Sequence, residues 1–307
     1  MQKKPLVSIC CLAYNHEEYI REAIEGFLMQ KTTFPFEIII HDDASTDRTA
    51  KIIQEYASQH PDLFVTIYQT TNKYSQGIKL PPTYLWPNAN GKYIAMCEGD
   101  DYWTDPNKLQ KQIIFLEDNP IYSASSHRCY LKNEITNINS HFGNDIEKSI
   151  YLKDLLDFRP FHTASLVFKK EAIIEYTKIL IPGIISGDKM TNLLCGIQGP
   201  IMYFAIPMAT YRRNKGGVSS GNIKDTKRFL NNNLRIFKFF KGKIPFKYYI
   251  QLKFAETSKL NLIKNNSSFS DRLIYYFISI IYSLPCFKRN YRTVITMTFN
   301  LFKNMKN

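Results

Sequence analysis

Glycine and proline are scarce, 13 and 14 residues in a chain of 307, while Tyr and Phe number 20 and 21. That balance excludes collagen-like, low-complexity and disordered classes. No C-x-x-C pair occurs among the six cysteines (10, 11, 97, 129, 195 and 286), most of which lie in apolar stretches. Buried free thiols in a reducing compartment are therefore expected, rather than a disulfide framework or a zinc site. Long apolar runs are also missing. The longest, Leu273–Phe287, has 15 residues including Ser279, Ser283 and Pro285, short of the roughly 20 that a spanning helix needs. Lys3 and Lys4 precede an apolar run of only eight residues, Leu6–Ala13, with no small-residue cleavage site after it. A signal peptide is not expected from that pattern, and the location expected is cytoplasmic, or peripheral at the inner face of the cell membrane.

Acidic residues almost disappear from the end of the chain. Residues 221–307 hold 17 Lys and Arg against Asp225, Glu256 and Asp271, a net of +14, whereas residues 1–220 hold 23 basic and 24 acidic residues. The overall charge of +13 thus belongs to the last 87 residues. This marks a boundary near 220, with a domain over 1–220 and a basic region over 221–307 that faces an anionic surface.

What is present in the first region is an alternation of buried strands and amphipathic helices. Leu6–Ala13 is a continuous apolar run, as in a parallel strand covered on both faces. Asn15 is the expected N-cap of a helix over 17–29, where Tyr19/Ile20, Ala23/Ile24 and Phe27/Leu28 recur at helical spacing. Further strands are predicted at 36–40, 63–68 and 93–97, and helices at 47–58 and 107–118. The stretch 70–90 reads as loop with a short helix, and 100–106 as a polar turn. After 120, short strands (121–130, 164–168, 201–206, 209–211) mix with helices near 170–180 and 188–196. The layout is α/β, with parallel strands joined by helices.

Ligands bind outside the carboxyl ends of the strands in such sheets. Two acidic clusters fall there, Asp42-Asp43 and Glu98-Gly99-Asp100-Asp101. Asp47 and Asp105 read as helix-starting carboxylates. Glu98, Asp100 and Asp101 are different, because three carboxylates within four residues repel one another unless a cation neutralises them. Such ligation suits Mg²⁺ or Mn²⁺ held partly by substrate phosphates, with Asp100 and Asp101 as candidate ligands. No G-x-G-x-x-G follows the first strand, which removes a Rossmann dehydrogenase.

Three segments in order, Val7–Asn15 (VSICCLAYN), Glu37–Thr49 (EIIIHDDASTDRT) and Gly91–Asp105 (GKYIAMCEGDDYWTD), resemble family 2 nucleotide-sugar glycosyltransferases of the GT-A fold. Later segments resemble the bacterial polysaccharide-assembling members: His162–Lys170 (HTASLVFKK), Ser186-Gly187-Asp188 and Tyr211–Ser219 (YRRNKGGVS). The resemblance covers residue 6 to about 215. It implies a Rossmann-like, mostly parallel central sheet flanked by helices. Asp42 would accept a hydrogen bond from the uracil of a UDP-sugar, with Asp43 beside it, and Ala13, Tyr14 and Asn15 would pack around base and ribose. Glu98-Gly99-Asp100 stands where the family has Asp-x-Asp, the metal and ribose motif, with Glu a departure in its first position. Mn²⁺ or Mg²⁺ would neutralise the leaving diphosphate. Asp188 would be the general base that takes the acceptor hydroxyl proton in an inverting transfer. Trp103 would offer an apolar wall to a sugar, His162 would contact the acceptor, and Arg212 or Arg213, beside Gly216-Gly217, would clamp the diphosphate, Lys215 less so.

The resemblance implies transfer from a UDP-sugar to a saccharide or lipid-linked saccharide acceptor in surface-polysaccharide assembly, of the capsule or O-antigen kind. Stretches such as 228–247 and 275–292 interleave aromatics with Lys and Arg, as interfacial helices on anionic lipid do. Nucleic acid is not an expected partner, since no recognisable motif accompanies the charge. The competing reading is a non-catalytic membrane- or polyanion-binding protein that retains the sheet.

Overall fold

The computed structural model describes residues 4–156, 159–174 and 187–214, with positions 236, 239, 240 and 242–245. The chain divides into two compact units, and the larger, Met1–Leu155 with Arg159–Gly183 and Gly187–Ser220, carries every described strand. The predicted basic helices of 221–307, the Lys215–Gly217 stretch, Ser186 and Cys286 fall outside the described residues, apart from the few positions above.

The first half follows the pattern of its apolar runs. Strand β1 (Val7–Ala13) leads through helix α1 (Ile20–Leu28) to β2 (Phe36–Asp42), then α2 (Thr49–Gln59) and β3 (Phe64–Tyr68). A single π-type turn at Pro81–Leu85 precedes β4 (Tyr93–Glu98). β1 pairs in parallel with β2 on one side and β4 on the other, and β2 pairs in parallel with β3. Ile9, Cys11, Ile38, Ile40, Ala95 and Cys97 from these strands are buried with Ile24, Phe27 and Ile53 of the helices. A strand covered on both faces has no polar side to alternate with, which is why β1 reads as a continuous apolar run.

The second half is a mixed arrangement. It runs through β5 (Tyr102–Trp103), α3 (Lys108–Asp118), β6 (Ala124–Asn133), β7 (Ile138–Phe142), β8 (Lys148–Ile150) and α4 (Leu152–Leu155). A 3₁₀ turn at Thr163–Ser165 precedes β9 (Val167–Lys169), and α5 (Gly187–Gln198) precedes β10 (Ile201–Arg213). The ten-stranded sheet has the order β3-β2-β1-β4-β9-β6-β10-β5, with β7 on β6 and β8 on β10. β9 is antiparallel to both β4 and β6, while β6 and β10 are parallel. The chain places β2 and β3 on one side of β1, then crosses to β4 on the other, so the topological switch lies between the ends of β1 and β4.

Several expectations are corrected. Asn15 does not cap a helix: α1 starts at Ile20 with Tyr19 before it, and Asn15 has φ of 53°. Its side chain bridges to the next loop instead, the Oδ1 accepting from the Thr46 amide at 2.8 Å. The two short strands expected at 201–206 and 209–211 are one strand with a register shift between Phe204 and Ala209, where the ladder opens around Pro207. The polar turn after β4 contains β5, antiparallel to β10. The described start of the helix expected at 170–180 is a 3₁₀ turn over Lys170–Ile173.

Candidate active site

The turn after β4 is built so that backbone packs close. Gly99 donates its amide to the Leu12 carbonyl at 2.8 Å, and a Cβ there would lie 2.9 Å from His16 Nδ1 and 3.1 Å from that same carbonyl. Glu98, Asp100 and Asp101 are thereby held against the end of β1. Asp101 is 1% exposed; its Oδ1 accepts from the Arg212 amide at 2.8 Å, whereas its Oδ2 has no hydrogen-bond partner. That orphaned oxygen lies 3.4 Å from Nδ1 of buried His162. Glu98, Asp101 and His162 offer ligand atoms that all lie within 4.8 Å of one another. Asp100 borders this cluster, with its Oδ2 accepting from Asn214 at 3.1 Å.

Burial, followed by repulsion from Asp100, pushes the half-buried Glu98 up to about 7 from 4.5. The same two causes, joined by Glu98, raise Asp101 well above the carboxylate range. Burial and then the charge of Arg159 push His162 well below its usual value, so it is a neutral imidazole. Its ring stacks on Tyr211 at 3.8 Å between centroids and meets Phe142 edge-on at 5.7 Å. Nδ1 of His162 already accepts from the Ala164 amide at 3.3 Å, so the unpartnered Asp101 oxygen beside it needs a proton of its own or a cation. Two carboxylates and an imidazole, with a third carboxylate adjacent, fit a divalent ion such as Mn²⁺.

The nucleotide-side residues cluster at the ends of β1 and β2. Asp42 is 3% exposed and receives both the amide (3.0 Å) and the hydroxyl of Ser45. Asp43 is committed to the loop that follows β3, accepting from the amides of Lys73 (2.8 Å) and Tyr74 (2.9 Å). Ala13 is buried and its carbonyl accepts from the Asp43 amide, while Tyr14 projects half-exposed. The Asn15 amide donates to Ser45 Oγ at 2.9 Å, tying the two loops into one rim. Asp47 and Asp105 do not occupy the cap positions expected of them: the N-caps of α2 and α3 are Arg48 and Asn107. The two carboxylates instead brace the turns that lead in, accepting from the amides of Thr49 (2.9 Å) and Asn107 (2.8 Å).

Asp188 sits in the first turn of α5, where its Oδ1 accepts from the Lys189 amide. Its Oδ2 forms an ion pair with Arg159 Nη1 at 3.3 Å. Two other assignments are corrected. Trp103 is not a wall for sugar: it is 2% exposed, donates Nε1–H to the Ala164 carbonyl at 2.9 Å, and packs edge-on against Phe27. The Lys108 amine sits 4.0 Å from its ring centre. Arg212 is not free to clamp a diphosphate. Its buried guanidinium pairs with Glu22, reaches the Asp100 carbonyl at 3.0 Å, and lies over the rings of Tyr19 and Tyr102. It anchors the acidic turn to α1, because a buried guanidinium must be paired and hydrogen-bonded.

Arg159 was not a sequence candidate. It lies three positions before His162, in a stretch where no regular element dictates which way a side chain faces. Asn214, at the end of β10, also emerged only from the fold.

The open sheet has the GT-A arrangement, with its carboxylate-rich turn at the topological switch point, where ligands of such sheets bind. Consistent with this, residues 8–177 match the family model described as Glycosyl transferase family 2, and the chain belongs to that family. It is 37% identical over 224 residues to the uncharacterized protein Rv1520 of Mycobacterium tuberculosis, covering 73% of this chain and 63% of that one. The chain thus spans less than two thirds of that relative. The Escherichia coli protein WfaP, named a UDP-Glc:alpha-D-GlcNAc-diphosphoundecaprenol beta-1,3-glucosyltransferase, is 35% identical over 122 residues, 40% of this chain and 45% of its own. The fold resembles Staphylococcus aureus TarS 1-349 in complex with UDP-GlcNAc, with TM-score 0.59, 16% identity, and 93% and 91% of the chains covered. It also resembles the mannosyltransferase PcManGT of Pyrobaculum calidifontis in complex with GDP-Man and Mn²⁺, with TM-score 0.55, 18% identity, and 98% and 86% covered. The free cysteines among the described residues, 10, 11, 97, 129 and 195, are all buried, as expected of structural thiols. No helix among the described residues is long and apolar enough to cross a membrane.

Proposed function

We propose that the protein is an inverting, metal-dependent glycosyltransferase that moves a hexosyl or N-acetylhexosaminyl group from a UDP-sugar to a saccharide or lipid-linked saccharide acceptor. The observation that carries this reading is the convergence of Glu98, Asp101 and His162 around an unpartnered carboxylate oxygen at the end of β4. Asp42 stands two strands away at the end of β2. In the proposed mechanism Asp42 and Tyr14 receive the uracil, and Glu98, Asp101 and His162, with Asp100 beside them, hold Mn²⁺ or Mg²⁺. The ion, when bound, supplies Lewis-acid stabilisation of the leaving diphosphate. Asp188 takes the proton of the acceptor hydroxyl as its oxygen attacks the anomeric carbon from the face opposite the leaving group. The UDP-glucose in the name of WfaP and the UDP-GlcNAc bound to TarS support a uridine donor. The diphosphoundecaprenol-linked acceptor in the name of WfaP supports a place in surface-polysaccharide assembly, and the net charge of +14 over 221–307 supports recruitment to anionic lipid at the inner face of the membrane.

Release of UDP from a panel of UDP-sugars, and of GDP from GDP-mannose, tests the reading with Mn²⁺, with Mg²⁺ and with EDTA. Metal-stimulated release from one UDP-sugar is expected. Release from GDP-mannose alone would overturn the uridine assignment, and no release from any donor would favour a binding protein that retains the sheet.

A further inference from the structure

The Arg159 guanidinium stands between the two halves of the proposed chemistry. Its Nη1 pairs with Asp188 Oδ2 at 3.3 Å and its Nη2 donates to Thr163 Oγ1 at 2.8 Å. Its carbon lies 5.8 Å from the centre of the Phe142 ring. Its charge is felt at Glu98, at Asp101 and at His162. The side chain of Asp188 is consequently held at both oxygens, Oδ1 by the Lys189 amide at 2.8 Å and Oδ2 by Arg159. A carboxylate fixed in this way has little freedom to choose another rotamer.

We propose that Arg159 is a positioning residue for Asp188. The planar fork ties the carboxylate at the start of α5 to the Thr163 turn, the same turn that is preceded by His162. It thereby sets the distance between the proton acceptor and the acidic cluster, and its charge offsets the repulsion that Glu98 exerts on Asp188. A surface ion pair would contribute little to stability. Here the benefit lies in direction, since a misplacement of about 1 Å in a catalytic group costs about 10²-fold in rate. This inference rests on the reading of Asp188 as the general base.

The test uses the full chain, with UDP affinity measured by calorimetry in Mn²⁺ and turnover measured on the UDP-sugar that the wild type consumes. Four proteins are compared with the wild type: Arg159→Gln, Arg159→Lys, Asp188→Asn, and the Arg159→Gln, Asp188→Asn double variant. Arg159→Gln should lower kcat by about 10²-fold with UDP affinity within about twofold of wild type. Arg159→Lys, which keeps the charge and loses the fork, should recover part of that loss. In the Asp188→Asn background, Arg159→Gln should cost nothing further, because the group it positions is already gone. An equal loss in both backgrounds would overturn the positioning role while leaving the base assignment standing. Wild-type turnover by Asp188→Asn would instead overturn the base assignment itself. A parallel fall in UDP affinity would make Arg159 a donor-site residue and refute the proposal. Should Arg159→Gln fail to fold, Arg159→Lys decides: lowered kcat at unchanged UDP affinity supports the role, and wild-type kcat refutes it.

Discussion

Glu98 and Asp101 lie close enough to Asp100 that burial and repulsion hold both carboxyls above their usual range. In the metal-free fold Glu98 titrates at about 7 instead of 4.5, so between those values the folded protein keeps a proton that the unfolded chain has released. Its contribution to stability is complete below pH 4.5 and disappears as pH rises through about 7. Melting in EDTA should therefore fall with pH across that window, less steeply for Glu98→Gln, and Mn²⁺ should offset the fall; an unchanged slope in Glu98→Gln would contradict it. For Asp188→Asn the expected outcome is a loss of about 10²–10⁴-fold in kcat with UDP affinity retained, since a general base acts on the acceptor. Parallel loss of UDP binding would move Asp188 into the donor site. Residue identity alone placed the carboxylates at the strand ends, because strand ends are legible and acidic residues clustered there repel one another unless neutralised. It misjudged Trp103 and Arg212, because burial is a property of the fold. Arg212 meets Glu22 across 190 positions of chain, a separation at which sequence carries no pairing signal.

At the scale of elements, spacing of apolar residues located α1, α2, α3 and α5, and continuous apolar runs located β1, β2 and β4. Their ends were less legible. Asn15 has the side chain of a helix cap, yet its amide and carboxamide are claimed by Ser45 and Thr46, so the helix starts later. Element packing gives a sharper prediction at Gly26, buried in α1, where an added Cβ would lie 2.9 Å from both the N and the O of Trp103. Replacing a mid-helix glycine by alanine ordinarily stabilises by about 1 kcal/mol. Here both close atoms are backbone of β5 and cannot rotate away, so overpacking of about 1–3 kcal/mol should win. With a net loss of up to about 2 kcal/mol, Gly26→Ala should lower Tm by up to about 8 °C, at roughly 2–4 °C per kcal/mol. A rise in Tm would show that α1 moves off β5 without cost.

For the whole molecule, the charge division predicts behaviour at a membrane surface. Substituting Gln at Arg235, Lys238, Lys241 and Lys247 of the full chain should weaken binding to phosphatidylserine vesicles by at least tenfold, since each basic residue contributes about 1 kcal/mol. Binding by the wild type should fade as salt shortens the Debye length from about 10 Å at 0.1 M. Co-sedimentation unaffected by the substitutions would remove the membrane role from this region. The sequence by itself determined the α/β class, the order of strands and helices through β4, the acidic turns at strand ends and the concentration of positive charge after 220. Each of these is a local or compositional property, set by periodicity, run length and residue type. Only the tertiary structure decided that β9 inserts antiparallel between β4 and β6. That insertion follows His162 and the Thr163 turn, which lie against the acidic cluster. It also decided that Asp188 meets Arg159 and that Arg212 is a buried anchor rather than a clamp. These are meetings of residues far apart in the chain, chosen by how the sheet closes over its core, and no local pattern of side chains encodes them.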